Sequence, residues 1–228
     1  MVFTSNRDDT VERNATDFLE VENERFHLYY PQDKLKKGTW LAFTGKGEVA
    51  ALLNGCDSKH TKAPHHVESR GRIPIDFLIS GKPLKSFAES YDFYLYEPFT
   101  LVVFRENNVQ KLGWNGVQFT IVDFPAAQRD FLFSSVTLYD AFHRAQREDI
   151  FKNHFIQRVL HPDSIFKFLA TPSSDLENGF YMDRGTVRTL STSQIIIKDN
   201  EIHFKHLDHL TEKLTSSTIK MRHEKFTG

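Results

Sequence analysis

The chain has 228 residues, of which 39% are hydrophobic and 26% charged, and its formal net charge is −1. This composition predicts one globular domain over residues 1–228, because no Pro-, Gly- or Ser-rich stretch marks a linker. No basic stripe interleaved with aromatic residues occurs, which argues against nucleic acid as a partner, since phosphate binding needs clustered Lys and Arg.

The hydrophobic segments and the single cysteine narrow the class of protein further. No apolar run approaches the ~20 residues of a membrane-spanning helix, and the first residues lack the basic and apolar segments of a secretory signal. Cys56 is the only cysteine, so the sequence excludes an intramolecular disulfide and a Cys-rich zinc site. We therefore expect a cytoplasmic protein that acts on or binds a small molecule and needs no cofactor.

The first element is predicted at the very start of the chain. Residues 1–5 are β-prone and predict the end of a strand, and the polar stretch from residue 8 to residue 24 predicts a loop. A strand that begins at Met1 is unusual, and we expect that the first strand of the fold is absent from this sequence.

Short apolar segments separated by turn residues predict antiparallel hairpins. A Gly-Lys-Gly turn follows residues 38–43, and Asn115-Gly116 favours a type I′ turn, in which both central residues need positive φ. The predicted strands cover residues 38–43, 48–53, 99–104, 109–114, 117–122, 193–197 and 201–204.

Helices are predicted in the gaps between these hairpins. The segment 72–81 has Pro in its first turn and Gly at its end, and Thr137 with Asp140 resembles a capping box. The predicted helices cover residues 72–81, 83–91, 137–155 and 164–169.

Two predicted strands, 101–104 and 195–197, are apolar on both faces, whereas a strand with one wet face would alternate. Both sheets are therefore expected to be covered on each side. The sequence predicts an α+β fold, a four-layer αββα sandwich of two antiparallel sheets with helices outside. A three-layer α+β fold is the alternative.

The densest polar cluster is Asn6-Arg7-Asp8-Asp9. One interpretation is a turn in which Asn and Asp bond their own backbone. The other is the mouth of a pocket, because Arg can hold a thiolate or carboxylate and Asp can take or relay a proton.

Other candidate groups carry weaker signals. Cys56 follows Asn54-Gly55 in a turn without an evident base, so we do not expect it to be a nucleophile. His203, His206 and His209 could ligate haem or a metal, but on a strand followed by a loop their rings would scatter. Solvent-exposed histidines are the expected interpretation.

Several motifs together, in chain order, resemble the NRDE-motif family, also called the Transport and Golgi organisation family. Asp9 stands where this family usually has Glu, which keeps the carboxylate. The resemblance covers most of the chain and rests on Ser5-Asn6-Arg7-Asp8-Asp9, Gly38-Thr39-Trp40-Leu41, Val49-Ala50-Ala51-Leu52-Leu53-Asn54, Ser69-Arg70-Gly71 and Gly185-Thr186-Val187-Arg188-Thr189.

The resemblance implies the αββα fold of N-terminal-nucleophile hydrolases, whose mature chain begins with Cys, Ser or Thr. It also implies that Arg7 orients the nucleophile, that Asn54 lines the oxyanion region and that Arg188 faces inward from a strand. Asp8, the other catalytic candidate, follows Arg7 directly, whereas bile-salt hydrolases and penicillin acylases space Arg and Asp more widely. Family members typically begin Met-Cys on a strand that precedes the NRDE strand, and that strand is missing here. We expect Arg7, Asp8, Asn54 and Arg188 to converge on one cavity.

Two functions follow from the resemblance. The first is a hydrolase-like domain acting on non-peptide carbon–nitrogen (amide) bonds, with its N-terminal Cys nucleophile absent from this chain. The alternative is a non-enzymatic protein that binds or moves a small ligand such as haem or a lipid-like molecule, since eukaryotic family members are linked to secretion and Golgi organisation.

Overall fold

The computed structural model describes residues 1–23, 26–124, 130–155 and 161–222, with the backbone alone for Thr16 and Asp17. Within these ranges the strands are β1 (Val2–Thr10), β2 (Ala15–Glu22), β3 (His27–Asp33), β4 (Leu41–Thr44), β5 (Val49–Asn54), β6 (Phe99–Arg105), β7 (Asn108–Trp114), β8 (Phe119–Phe124), β9 (Val187–Lys198), β10 (Glu201–Asp208) and β11 (Lys213–Lys220). The helices are α1 (Ile73–Ser80), α2 (Leu84–Ser90), α3 (Ala141–Phe155) and α4 (Pro162–Ala170).

The strands form two antiparallel sheets. The small sheet has the order β1-β9-β10-β11, and the large sheet runs from β2 to β8 in sequence order. The predicted hairpin β4–β5 and the meander β6–β7–β8 are confirmed. Asn107 and Asn200 occupy left-handed positions, with φ of 62° and 63°, in the turns before β7 and β10, where Asn is tolerated better than most residues.

Four layers result, as the sequence predicted, and the three-layer alternative is wrong. Helix α1 packs on the outer face of the large sheet, while α4 packs on β1 and β9 of the small sheet. Between the sheets, Phe204 is 2% exposed and stacks on Phe18 with ring centroids 4.2 Å apart. Aromatic area thus fills the inter-sheet layer as well as the outer one.

The loop predicted for residues 8–24 is wrong. The strand β1 continues to Thr10 because its polar residues pair with β9, nearly 180 residues later in the chain, with a bulge between Arg7 and Asp8. The segment that follows contains β2, which forms an edge of the large sheet. Local polarity therefore gave the wrong prediction here, because the partners of these polar groups are distant in sequence.

The start of the longest helix also differs from the prediction. Helix α3 begins at Ala141 rather than at Thr137, because the carboxylate of Asp140 accepts a hydrogen bond from the His143 N–H at 2.9 Å and so caps the first turn.

The two sheets differ in width, and this difference positions the site. The buried inter-sheet residues of the large sheet come from β2 to β5 and the turn before β4. Residues of β6 to β8, namely Val102, Phe104, Val109 and Phe124, line a cavity together with β1, which is an edge of the small sheet. Among the described helices, none is both long and apolar enough to cross a membrane.

Candidate active site

A cavity of about 850 Å³ lies along the edge of β1. All residues from Met1 to Asp9 line it, together with the end of β5, parts of β6 and β7, and the segment 130–135. In the described part of the chain β1 has no partner strand on this side. Val2, Phe3 and Thr4 therefore lie beside a groove.

Arg7 belongs to a ring of four charges at the polar end of the cavity. Its Nη2 lies 2.6 Å from Oδ2 of Asp33 and 3.4 Å from Oδ2 of Asp9. Arg13 closes the ring, with Nη1 2.9 Å from Asp9 and Nη2 2.8 Å from Asp33. The ring contains two cations and two anions, so it is neutral overall.

One guanidinium nitrogen of Arg7 makes no hydrogen bond with the described residues. The Arg7 side chain is 6% exposed, and its Nη1 has no hydrogen-bond partner among the described residues. The guanidinium carbon lies 4.4 Å from the centroid of the Trp40 ring, a cation–π contact that limits where the guanidinium can move. A buried donor without a partner is costly, and both side chains line the cavity. Nη1 is therefore a buried donor without an acceptor among the described residues.

Asp8 lines the same cavity beyond the bulge. Its Oδ1 accepts a hydrogen bond from Thr189 Oγ1 at 2.6 Å. Burial raises the pKa of Asp8 above its usual range, although the Thr189 hydroxyl and the nearby Arg147 and Arg184 oppose the change. A carboxyl group with a raised pKa keeps its proton to a higher pH than an exposed one, so it can exchange that proton with a ligand more readily.

Asn54 also lines the cavity, from the last position of β5. Its backbone carbonyl accepts a hydrogen bond from Ser135 Oγ at 2.9 Å, which ties the segment carrying Ser135 to β5. The structure thus brings three of the four residues named from the sequence, Arg7, Asp8 and Asn54, to one cavity.

Arg188 does not line the cavity, and the expectation that it shares the site is wrong. Its guanidinium is bound outside the cavity, where Nη2 donates to the Gly185 carbonyl at 3.1 Å and Nε lies 4.0 Å from Asp183. The reason is a turn at Gly185, with φ of +79°, which folds Asp183 back against Arg188 in an isolated bridge.

The cysteine lies elsewhere. Cys56 does not line the cavity, and its Sγ packs against Gly113, where an added Cβ would lie only 2.6 Å away. Burial raises the pKa of the Cys56 thiol to about 11, so the group is not activated as a nucleophile.

The three evenly spaced histidines have different partners. His203 contacts Thr218, and His209 contacts Thr192. His206 is buried between the sheets, where it hydrogen-bonds Ser193 Oγ at 2.8 Å, and burial lowers its pKa to about 4. The expectation of a solvent-exposed ring is wrong for His206.

One group of side chains could contact a cation. Glu20, Glu22 and His27 hold their ligand atoms within 4.8 Å of one another. These groups are already paired, because His27 Nε2 contacts Glu20 at 2.5 Å and Arg222 forms an ion pair with Glu22. The arrangement is therefore satisfied without a metal.

Sequence reasoning missed Asp33 and Arg13. Asp33 is separated from Arg7 by 26 residues, and Arg13 falls in a stretch predicted as loop. Neither spacing nor composition pointed to them, because their roles depend on the pairing of β1, β2 and β3 in space.

Solved structures with the same fold define the structural class. The chain is similar to the Caenorhabditis elegans orthologue of N-acylethanolamine-hydrolyzing acid amidase, with a TM-score of 0.50 and 12% identity over 86% of this chain and 87% of that one. It is equally similar to a variant of conjugated bile acid hydrolase from Clostridium perfringens, with a TM-score of 0.50 and 10% identity over 100% and 90% of the two chains. The fold is thus that of the N-terminal-nucleophile hydrolases.

The family follows from the sequence match. The model of the family described as Transport and Golgi organisation 2 matches residues 1–224, and the chain belongs to this family, as the motifs predicted. No curated protein matches the chain.

Proposed function

We propose that the cavity binds a small acylated amine and that the domain is hydrolase-like, acting on a non-peptide amide bond. The observation that carries this proposal is the convergence of Arg7, Asp8 and Asn54 on one cavity. An amide carbonyl oxygen is an acceptor that the Arg7 guanidinium would bind, and a charge-assisted hydrogen bond of this kind is about twice as strong as a neutral one.

The other polar groups of the wall would serve the same bond. Asn54 would face the carbonyl from the end of β5, where a donor steadies negative charge that develops on the oxygen. Asp8, with its raised pKa, would hold or return the proton of the amine group. Both names of the neighbouring structures, an N-acylethanolamine amidase and a conjugated bile acid hydrolase, support an amide as the ligand class.

The remaining wall suits the acyl part. It is lined by aromatic and aliphatic side chains from β6 to β8, from the segment 130–135 and from α3 and α4. A largely apolar wall with a few convergent polar groups is typical of a small-molecule site. These side chains are Phe104, Val109, Phe124, Phe131, Phe133, Phe151, Ile165 and Leu169.

Hydrolysis itself needs a nucleophile. Residue 1 is Met, whose thioether cannot replace the thiol or hydroxyl of an N-terminal nucleophile. We therefore propose binding of an acylated amine, not its cleavage, as the property to test on residues 1–228. A version extended by one strand that begins with Cys should gain amidase activity, and Cys→Ala in that version should abolish it.

Binding can be tested with an N-acylethanolamine and a conjugated bile acid by calorimetric titration. Arg7→Gln should weaken binding at least tenfold, because it removes the charged donor from the cavity. Arg188→Gln is the matched control, since it removes an Arg that lies outside the cavity, and it should change the affinity less than twofold. Equal effects of the two substitutions would refute the assignment of the site.

A non-enzymatic binding function is the second candidate. It is favoured by the aromatic wall together with the absence of any cysteine from the cavity lining in the described residues. On this proposal the chain should bind haem or another apolar ligand tightly as it stands. Haem titration followed by absorbance, run beside the amide titrations, separates the two candidates.

A further inference from the structure

We infer that Arg147 forms a second polar subsite of the cavity, which binds a carboxylate carried on the amine part of the ligand. This inference rests on the proposed function, because it names a further group of the same ligand. Its basis is the set of partners that hold the Arg147 guanidinium and the one nitrogen that they leave without a hydrogen bond.

The guanidinium of Arg147 is fixed by aromatic rings and by neutral oxygen atoms. Its carbon lies 4.1 Å from the centroid of the Tyr139 ring and 4.3 Å from that of the Phe180 ring. Nε donates to Ser134 Oγ at 3.1 Å, and Nη1 donates to the two backbone carbonyls of residues 178–179. These contacts leave the planar guanidinium little freedom to turn, so its remaining edge has a fixed direction.

The remaining nitrogen, Nη2, is open to the cavity. Arg147 lines the cavity and is 7% exposed, and its hydrogen bonds with the described residues use only Nε and Nη1. Nη2 is not among the described side-chain atoms that are both buried and without a partner, so part of its surface is accessible. Its two N–H groups are therefore within reach of an acceptor on a bound molecule.

Arg147 is also a cation without an anion in contact, because its hydrogen bonds with the described residues all go to neutral groups. The charged groups that act on it from a distance are Asp8, Asp175 and Arg184, of which only Asp8 lines the cavity. Asp8 is bound by Thr189 Oγ1 at 2.6 Å, and burial raises its pKa, so it keeps a proton to a higher pH than usual. The other charged side chains of the cavity lining are five cations and five anions, which balance.

A carboxylate suits this subsite better than a neutral acceptor does. It accepts charge-assisted hydrogen bonds from Nη2, and it supplies the counter-charge whose absence makes a buried cation costly. The amine part of the ligand is the part that carries it. Asp8, which we propose exchanges a proton with the amine group, is the acidic neighbour of Arg147 in the cavity, whereas the acyl part is assigned to the apolar wall.

The test compares N-decanoyl-4-aminobutyrate with N-decanoyl-4-aminobutanol, which differ only in a terminal carboxylate and a terminal hydroxymethyl group. Both are titrated calorimetrically into the intact chain at pH 7.5, below their aggregation limits. The wild-type chain should bind the carboxylate at least tenfold more tightly than the alcohol. Arg147→Gln should reduce this ratio at least tenfold, because it removes the cation. Arg188→Gln, which removes an Arg outside the cavity, should leave the ratio unchanged.

A second pair of variants keeps the test decisive if Arg147→Gln does not fold. Ser134→Asp places a carboxylate beside Nε of Arg147 without removing the Arg, and it should reduce the ratio at least tenfold because an internal anion then balances the guanidinium. Ser134→Asn is the neutral match and should retain the preference for the carboxylate.

Equal binding of the two probes by the wild-type chain, or an unchanged ratio in Arg147→Gln and Ser134→Asp, would overturn the inference. In that case Arg7-dependent binding of the alcohol would still support the proposed function. Binding of neither probe would reject both.

Discussion

The sharpest stability prediction concerns Gly38, which meets Gly71 where two motifs of the family cross. A Cβ added at Gly38 would lie 2.6 Å from the Gly71 carbonyl carbon and 2.8 Å from its Cα and oxygen. The atoms in the way are backbone, so no side chain can rotate to relieve the clash. The Thr39 N–H also donates to the Gly71 carbonyl at 2.8 Å, which holds the two segments together.

The magnitude follows from that distance. Ordinary Cβ contacts begin near 3.4 Å, so Gly38→Ala requires the two backbones to separate by about 0.8 Å. Overpacking of this kind costs about 1–3 kcal/mol, and weakening the Thr39–Gly71 hydrogen bond adds up to about 1 kcal/mol. A chain of this size loses about 2–4 °C of melting temperature per kcal/mol, so we expect a decrease of about 5–10 °C.

Differential scanning calorimetry of Gly38→Ala beside Gly45→Ala tests this reasoning. At Gly45 an added Cβ would make only an ordinary contact, 3.6 Å from the His27 Cβ, so that variant should melt close to the wild type. Because Gly38 precedes Trp40 and Gly71 follows Arg70 at the cavity, Gly38→Ala should also weaken amide binding. A Gly38→Ala chain that melts within 2 °C of the control would refute the close-approach argument.

Three further measurements test other parts of the structure. Phe204→Ala should cost about 3–5 kcal/mol by urea unfolding, because the ring is buried against Phe18, whereas Phe142→Ala, at a residue 65% exposed, should cost little. The free energy of unfolding should decrease by up to roughly 3 kcal/mol as the pH falls from about 6.5 to about 4. In this range the unfolded chain protonates His206 while the folded chain does not, because burial lowers the folded pKa of His206 to about 4. His206→Gln should reduce this dependence on pH. Iodoacetamide should alkylate Cys56 about 100-fold more slowly in the folded chain at pH 8 than in urea, because its pKa is raised to about 11, and equal rates would contradict the burial of the thiol.

Local sequence pattern predicted the elements whose partners are adjacent in the chain. The hairpin of β4 and β5 and the meander from β6 to β8 depend on a turn and on apolar side chains within about 25 residues. The apolar faces of these strands also predicted a sheet covered on both sides, and the four-layer sandwich follows from that property. The ordered motifs were sufficient to predict the family.

The sequence by itself therefore determined the fold class and the family, through its turns, its buried strands and its motifs. It also identified three residues of the cavity wall. Tertiary structure alone decided that β1 continues to Thr10 and that β2 forms over Ala15–Glu22. It also decided that Asp33 and Arg13 complete the charge ring around Arg7, and that Arg188 is held by Asp183 outside the cavity. The physical reason is the same in each case. A polar side chain becomes ordered through the partner that satisfies its charge or hydrogen bonds, and these partners lie far away in sequence and come together only when the two sheets pair and pack.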